Sequence, residues 1–274
     1  MKERITSAIT IIFFFAAIVL FNGTFPIALN IAIALISVLS VYEIISALGL
    51  SKNLILLIPS ILFSAILPFI ETSVSQQTAY FVYTVIMFAA LIFYHEFVSF
   101  RELGVIYSMA LLIPTALETI INIRNIGGQH GMFYVIIAIA SAWIADTGAF
   151  LAGSFFGKHK LCPNISPKKT IEGAIGGFIL NIAAMLIFGY AFQVIYYQHS
   201  VSISYLSLTI IGIFGTVMSI LGDLSFSLIK RSCHIKDFSE IIPGHGGILD
   251  RFDSVIFEAP FVYLLVQILP IVIK

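Results

Sequence analysis

The sequence predicts an all-α, polytopic integral membrane bundle of about nine transmembrane helices, and three observations predict it. Hydrophobic residues fill 59% of the 274 positions and charged residues 10%, with a mean hydropathy of +1.06. Those values lie outside the range of an ordinary soluble domain. Apolar runs of roughly 20 residues, the length that crosses a hydrocarbon core, recur from end to end. The runs are continuous rather than alternating, which favours helices over a β-barrel, because lipid offers the backbone no other partner.

In chain order the expected spans are Ile5–Phe21, Ile27–Leu48, Leu54–Ile70, Ala79–Phe100, Leu103–Ile121, Met132–Ala152, Gly173–Tyr197, Ile203–Leu221 and Phe252–Ile273. Met1–Phe21 has the short basic start and apolar run of a signal peptide. It has no small-residue cleavage site before Asn22, so it is taken as a retained first helix. The connections Asn22–Pro26, Gly49–Asn53 and Glu71–Gln77 are short. Gly157–Glu172 and Lys230–Arg251 are long and basic. No soluble domain, long linker or internal repeat is visible, so residues 1–274 are read as a single membrane domain. Within it, 1–125 carries helices without a specific motif and 126–274 carries the motifs.

The formal net charge is zero, yet the cations are unevenly placed. With nine spans, one face carries Lys2, Arg4, Lys52, Arg101, Lys158, Lys160, Lys168, Lys169, Lys230, Arg231, Lys236 and Arg251, and the other only Arg124 and Lys274. This bias predicts a cytoplasmic N-terminus and cytoplasmic long loops. Cys162 and Cys233 fall in those loops without a CxxC spacing and are expected to be plain, reduced thiols.

Carboxylates at or inside the membrane are functional candidates by default. Asp146 lies within its span, Asp223 follows Gly222 at the end of another, and Asp250 and Asp253 open the last. Their i,i+3 spacing stacks Asp250 and Asp253 on one helical face. Carboxylate oxygens suit Mg²⁺, which keeps waters and takes other ligands from substrate phosphates. For Asp253 an N-terminal role at its helix is an equal alternative. Glu43, His95, Glu96 and Glu118 rank lower, and Glu258, eight residues after Asp250, is a supporting candidate only.

The segment Ser227–Asp253, SLIKRSCHIKDFSEIIPGHGGILDRFD, gathers four cations, four carboxylates, two histidines and a Gly-rich turn in an otherwise lipid-soluble chain. Glycines admit an anion to the backbone, and a helix N-terminus aims unpaired N–H groups at it. Alone such a turn is weak evidence; between Lys230-Arg231 and Asp250-Arg251-x-Asp253 it points to phosphate binding. His245 is read as a hydrogen-bond donor to phosphate. Ser166-Pro167-Lys168-Lys169-Thr170 suits a second phosphate cradle, with a lipid-headgroup anchor as the alternative. Trp143, by itself, would be packing.

The order Ser227-x-x-Lys230-Arg231, Lys236-Asp237, Pro243-x-His245-Gly246-Gly247, Asp250-Arg251-x-Asp253 closely resembles the signature of phosphatidate cytidylyltransferases. Ser-Pro-Lys-Lys-Thr and Trp143-x-x-Asp146 lie upstream, where that family has similar segments. The likeness covers the whole chain in topology and about its second half in motif. It implies that CTP and phosphatidic acid give CDP-diacylglycerol and pyrophosphate with one or two Mg²⁺ ions, a monovalent cation being a further candidate. Asp223 and Asp250 are then the primary metal ligands, with Asp146 and Asp253 in support. Lys230, Arg231 and Arg251 clamp phosphates. Ser166, Lys168, Lys169, Thr170, Ser227, Lys236, Asp237, His245, Gly246 and Gly247 bind substrate. The expected partners are CTP, phosphatidic acid, bilayer lipid and a second copy of the chain, and no nucleic acid. The expected location is a bacterial plasma (inner) membrane with a cytoplasmic active site.

Two rivals use the same residues differently. A CTP-dependent polyprenol kinase would transfer the γ-phosphate to an alcohol, but the full Ser227–Asp253 pattern favours the cytidylyltransferase. A secondary transporter would show internal symmetry and broken midplane helices, whereas the polar cluster here is carried by one half of the chain.

Overall fold

The computed structural model describes residue 13 and residues 16–242 and 246–273. Pro243, Gly244, His245, Lys274 and most of the first expected span lie outside the described residues. The chain divides into two compact units, residues 1–118 with 233–251 and residues 119–232 with 252–274.

The first unit contains α1 (Ile27–Ala47), α2 (Leu54–Ile66, prolonged by a 3-10 turn to Phe69), α3 (Ser73–Phe93) and the start of α4 (Phe100–Gly127). α3 starts at Ser73 rather than at the expected Ala79, because the Thr72 hydroxyl accepts from the Ser75 amide at 3.2 Å and caps it. α4 starts on a reciprocal capping pair. The amide and hydroxyl of Ser99 each donate to Glu102 Oε2 at 2.9 Å, and the Glu102 amide donates back to Ser99 Oγ at 3.2 Å. The core is mainly aliphatic, with Ile33, Ile44, Ile45, Leu56 and Ile106 buried beside Met87 and the stacked pair Phe63 and Tyr83. Buried Glu118 is satisfied by Gln76, whose Nε2 donates to it at 2.5 Å.

The second unit holds the rest of α4, α5 (Gly131–Phe156), a hairpin of β1 (Lys160–Cys162) and β2 (Ser166–Thr170), and α6 (Ile171–Ala191). Then come β3 (Ser202–Ile203), α7 (Tyr205–Ile210), α8 (Thr216–Ser232), most of α9 (Leu249–Ile268) and β4 (Val272–Ile273), which pairs antiparallel with β3. The expected long loop Gly157–Glu172 is largely this hairpin, with Lys160 opposite Thr170 and Cys162 opposite Ser166. Glu172 folds it back, accepting from the amides of Lys158 at 3.0 Å and His159 at 3.1 Å and from the His159 ring at 2.6 Å.

α5 and α6 make the closest helix pair. A Cβ on Gly148 would lie 2.9 Å from Leu180 Cβ, and one on Gly173 would lie 2.7 Å from the Ala149 carbonyl oxygen. Small residues at a membrane-helix interface permit this approach, and van der Waals contact then holds it. Gly148→Val should therefore lower the thermal midpoint in detergent, overpacking a tight contact costing about 1–3 kcal/mol. An unchanged midpoint would show that the two helices separate freely at this level.

Five helical runs are long and apolar enough to cross a membrane among the described residues, rather than the nine expected: Ile27–Ala47, Ser73–Phe93, Phe100–Phe156, Ile171–Tyr196 and Tyr205–Ser232. The physical reasons are local. Two expected spans fall in the single 57-residue run Phe100–Phe156. The run is parted into α4 and α5 by a 3-10 turn at Gly128–His130, where Gly128 has φ +53°. Leu54–Phe69 is a shorter apolar helix, and α9 carries Asp250, Arg251, Asp253 and Glu258. The Tyr205–Ser232 run goes beyond the expected end at Leu221, so Asp223, Ser227, Lys230 and Arg231 stand on a helix, not in a loop.

Candidate active site

A cavity of about 340 Å³ in the second unit is walled by α5, the hairpin, α6 and α8. Its polar lining is Asp146, Ser154, Lys168, Lys169, Thr170 and Asp223; Ala149, Phe150, Leu161, Ala174 and Ile220 supply an apolar wall. The close α5–α6 pairing brings Asp146, near the middle of α5, beside the start of α6 and the strand that leads into it. Along β2 Pro167 and Lys168 are exposed, while Lys169 is partly buried and Thr170 buried. Thr170 ends the strand and caps α6, its hydroxyl accepting from the Gly173 amide at 3.1 Å.

Asp223 pairs with Lys169 across this cavity, each side chain about a quarter exposed (25% and 23%). Ser227 Oγ donates to the same carboxylate at 3.2 Å. Ser219, Asp223 and Ser227 recur every four residues and so share one face of α8. From that face Ser219 Oγ donates to Asp146 Oδ1 at 2.9 Å, and Ser254 Oγ on α9 donates to Oδ2 at 2.7 Å. Asp253 is buried, accepts from the Ser254 amide at 2.8 Å, and lies within electrostatic reach of Asp223, Lys230 and Asp146. A polar ladder thus joins α5, α8 and α9 inside the second unit.

Asp146 and Asp223 offer hard oxygen donors at one cavity, and a carboxylate has about four lone-pair sites, more than these hydroxyl bonds use. Among the described residues no three His, Cys, Asp or Glu side chains gather as ligands for one metal ion. Two carboxylates nevertheless fit Mg²⁺, which is usually bound through one or two carboxylates with waters and phosphates completing its shell.

The first unit holds the rest of the signature. Asp250 is buried, and its Oδ2 accepts from the amides of Phe238 and Gly247, both at 2.9 Å. Gly246 sits at φ +84°, where an L side chain is strained. Lys236 and Asp237 are exposed and Arg251 is half-buried. Sequence reasoning underrated Glu43. It lies on α1, 1% exposed, and binds this segment by accepting from Ser239 Oγ at 2.6 Å and from the amides of Ile248 at 2.9 Å and Leu249 at 2.8 Å. The one signal in the sequence was a carboxylate inside an apolar run.

Of the predicted site residues, Asp146, Lys168, Lys169, Thr170 and Asp223 share the cavity. Ser227 holds Asp223; Ser166, Lys230 and Arg231 lie on the same unit's β2 and α8. Lys236, Asp237, Gly246, Gly247, Asp250 and Arg251 belong to the first unit, and His245 lies outside the described residues.

The chain is similar to proteins named phosphatidate cytidylyltransferase. It is 41% identical over 170 residues to that of Bacillus subtilis, covering 62% of this chain and 60% of the relative. Over 135 residues it is 39% identical to that of Haemophilus influenzae, covering 48% of this chain and 45% of the relative. With that of Staphylococcus saprophyticus it shares 42% over 141 residues, 51% of this chain and 52% of the relative. The matched stretches thus span about half to three fifths of the relatives' length. Residues 2–269 match the description Cytidylyltransferase family, and the chain belongs to that family.

Proposed function

We propose that this protein is a phosphatidate cytidylyltransferase, a nucleotidyltransferase of phospholipid biosynthesis that converts CTP and phosphatidic acid to CDP-diacylglycerol and pyrophosphate. The observation that carries the reading is the two-sided cavity, with lysines and carboxylates against an apolar wall of Ala149, Phe150, Ala174 and Ile220. Such a cavity suits a phosphomonoester whose acyl chains remain in the bilayer. Family membership and the relatives' names support it over the matched stretches.

In this reaction a phosphate oxygen of the lipid attacks the α-phosphorus of CTP. The new P–O bond forms as the α–β phosphoanhydride bond breaks, and pyrophosphate leaves with the electron pair. No protein nucleophile is required, so the protein's work is to position two polyanions and offset their repulsion. Lys168 and Lys169 neutralise phosphate at the cavity. Lys230, Arg231 and Arg251 clamp phosphate oxygens, the arginines as bidentate forks. Ser166, Ser227, Lys236, Asp237, His245, Gly246 and Gly247 complete the proposed substrate contacts.

Asp146 and Asp223 would hold Mg²⁺ at the cavity, and Asp250 and Asp253 are assigned ligation on the sequence pattern. When bound, the ion supplies positive charge to phosphate oxygens and to the leaving pyrophosphate. A second or monovalent ion and a homodimer belong to the same proposal.

Nine crossings with a cytoplasmic N-terminus remain the proposed topology. α4 and α5, 28 and 26 residues long, each exceed the ~20 residues a crossing needs. Crossings at Leu54–Phe69, α9 and residues 5–21 would complete the nine. The cation asymmetry supports this orientation, which puts the active site on the cytoplasmic side of a bacterial membrane.

The test supplies purified protein with Mg²⁺, phosphatidic acid and CTP labelled on the α- or the γ-phosphate. Lipid labelled from the α-position supports cytidylyl transfer. Label from the γ-position alone makes the protein a lipid kinase, and no labelled lipid from folded protein reopens transport. Replacing both Lys168 and Lys169 by Ala should raise KM for phosphatidic acid about 100-fold or more, each charge-assisted phosphate contact being worth about 1.5–3 kcal/mol. Unaltered kinetics for both substrates would reassign the lysines as topology anchors.

A further inference from the structure

We propose that Glu43 is a positioning residue for the turn at residues 246–251, so that the motif-free half of the chain sets the geometry of the signature half. The inference rests on the cytidylyl-transfer reading. A carboxylate as buried as Glu43 persists only when hydrogen-bonded. Here the donors lie 196 to 206 residues away in sequence: Ser239 Oγ and the Ile248 amide on Oε1, and the Leu249 amide on Oε2. Ile248 immediately precedes α9 and Leu249 opens it, and the first amides of a helix have no intrahelical partner and favour a negative charge. Glu43 therefore fixes where α9 begins.

Asp250, the second residue of α9, makes the complementary tie by gathering the Gly247 and Phe238 amides. The turn is held by two carboxylates, one from α1 and one from its own helix. Gly247 is shaped to the first of them: a Cβ there would stand 2.5 Å from Glu43 Oε2 and 2.7 Å from Cδ. Those distances are closer than real Cβ contacts, so the carboxylate and the missing side chain at 247 specify each other. The turn carries Gly246, Gly247, Asp250 and Arg251, all assigned to phosphate or metal above. A shift of about 1 Å in such groups can lower turnover on the order of 100-fold.

The experiment combines kinetics with deuterium exchange over residues 246–252 in the purified full chain. Glu43→Gln keeps one acceptor oxygen but turns an NH₂ toward backbone donors. It should lower kcat about 10- to 100-fold, leave KM for CTP and phosphatidic acid close to wild type, and speed exchange at Ile248 and Leu249. Gly247→Ala should be severe alone and add little in a Glu43→Ala background, where the methyl has room. Faster exchange with unchanged kcat would overturn positioning and leave only a clasp. Unchanged exchange, or additive effects of the two alanine substitutions, would overturn the tie itself. If the wild-type protein transfers no α-label, the functional reading fails, while exchange and the stability of the double variant still decide whether Glu43 holds the turn.

Discussion

Asp223→Asn is expected to reduce kcat/KM for cytidylyl transfer by on the order of 100- to 1000-fold, the range found when one preorganised electrostatic contact to a transition state is removed. The substitution keeps shape and hydrogen-bonding reach, so Ser227 retains an acceptor, but it removes the charge that pairs with Lys169 and that would bind Mg²⁺. Folding should barely notice. Losing the pair with Lys169 is offset by relief of the repulsion that Asp223 exerts on Asp146 and Asp253, and the ladder of Ser219, Asp146 and Ser254 stays intact. The variant should therefore purify with a near-normal thermal midpoint and almost no turnover. Raising Mg²⁺ should recover part of the rate if weakened metal affinity dominates. Turnover within a few-fold of wild type would remove Asp223 from the reaction and leave it as the partner that orients Lys169. The companion Lys169→Ala separates these roles further, because it spares the carboxylate and should act mainly on KM for the lipid.

Legibility followed the range of the interactions. Local signals were readable: the apolar run Ile27–Leu48 matches α1 to within a residue of its end. Asp250 and Asp253 do share the opening of the last helix. Lys168, Lys169 and Asp223 were singled out by residue type and do share a cavity. Helix ends set by side-chain caps were less visible, because Thr72 and the Ser99–Glu102 pair sit in stretches whose hydropathy suggested other limits. α8 ran past the point where apolar periodicity stopped, since a polar face of Ser219, Asp223 and Ser227 against Asp146 and Lys169 replaces the apolar one. The hairpin was missed because two short strands carrying lysines and a proline have no alternating apolar pattern. Glu43 could not be assigned at all, because its partners lie about 200 residues away and no local pattern encodes such a pairing.

Asp250→Asn should abolish turnover while leaving the turn in place, and Asp250→Ala should abolish turnover and loosen the turn. The distinction follows from what the carboxylate does. Its Oδ2 accepts two backbone amides, and hydrogen bonds to an ionised acceptor are roughly twice as strong as neutral ones. Asparagine still presents an oxygen to both amides, weakened but present; alanine presents none and strands two buried donors, at about 1–3 kcal/mol each. Exposed Lys236, two residues before Phe238, reports the difference. Trypsin should cut after Lys236 at the wild-type rate in Asp250→Asn and markedly faster in Asp250→Ala, because cleavage follows local opening. Loss of activity in both variants with faster proteolysis only in the alanine variant assigns Asp250 a charge-dependent role beyond holding the turn, as a metal ligand requires. Near-normal turnover in Asp250→Asn would confine it to the turn. The carboxylates that meet metal would then be Asp146 and Asp223, those facing the cavity.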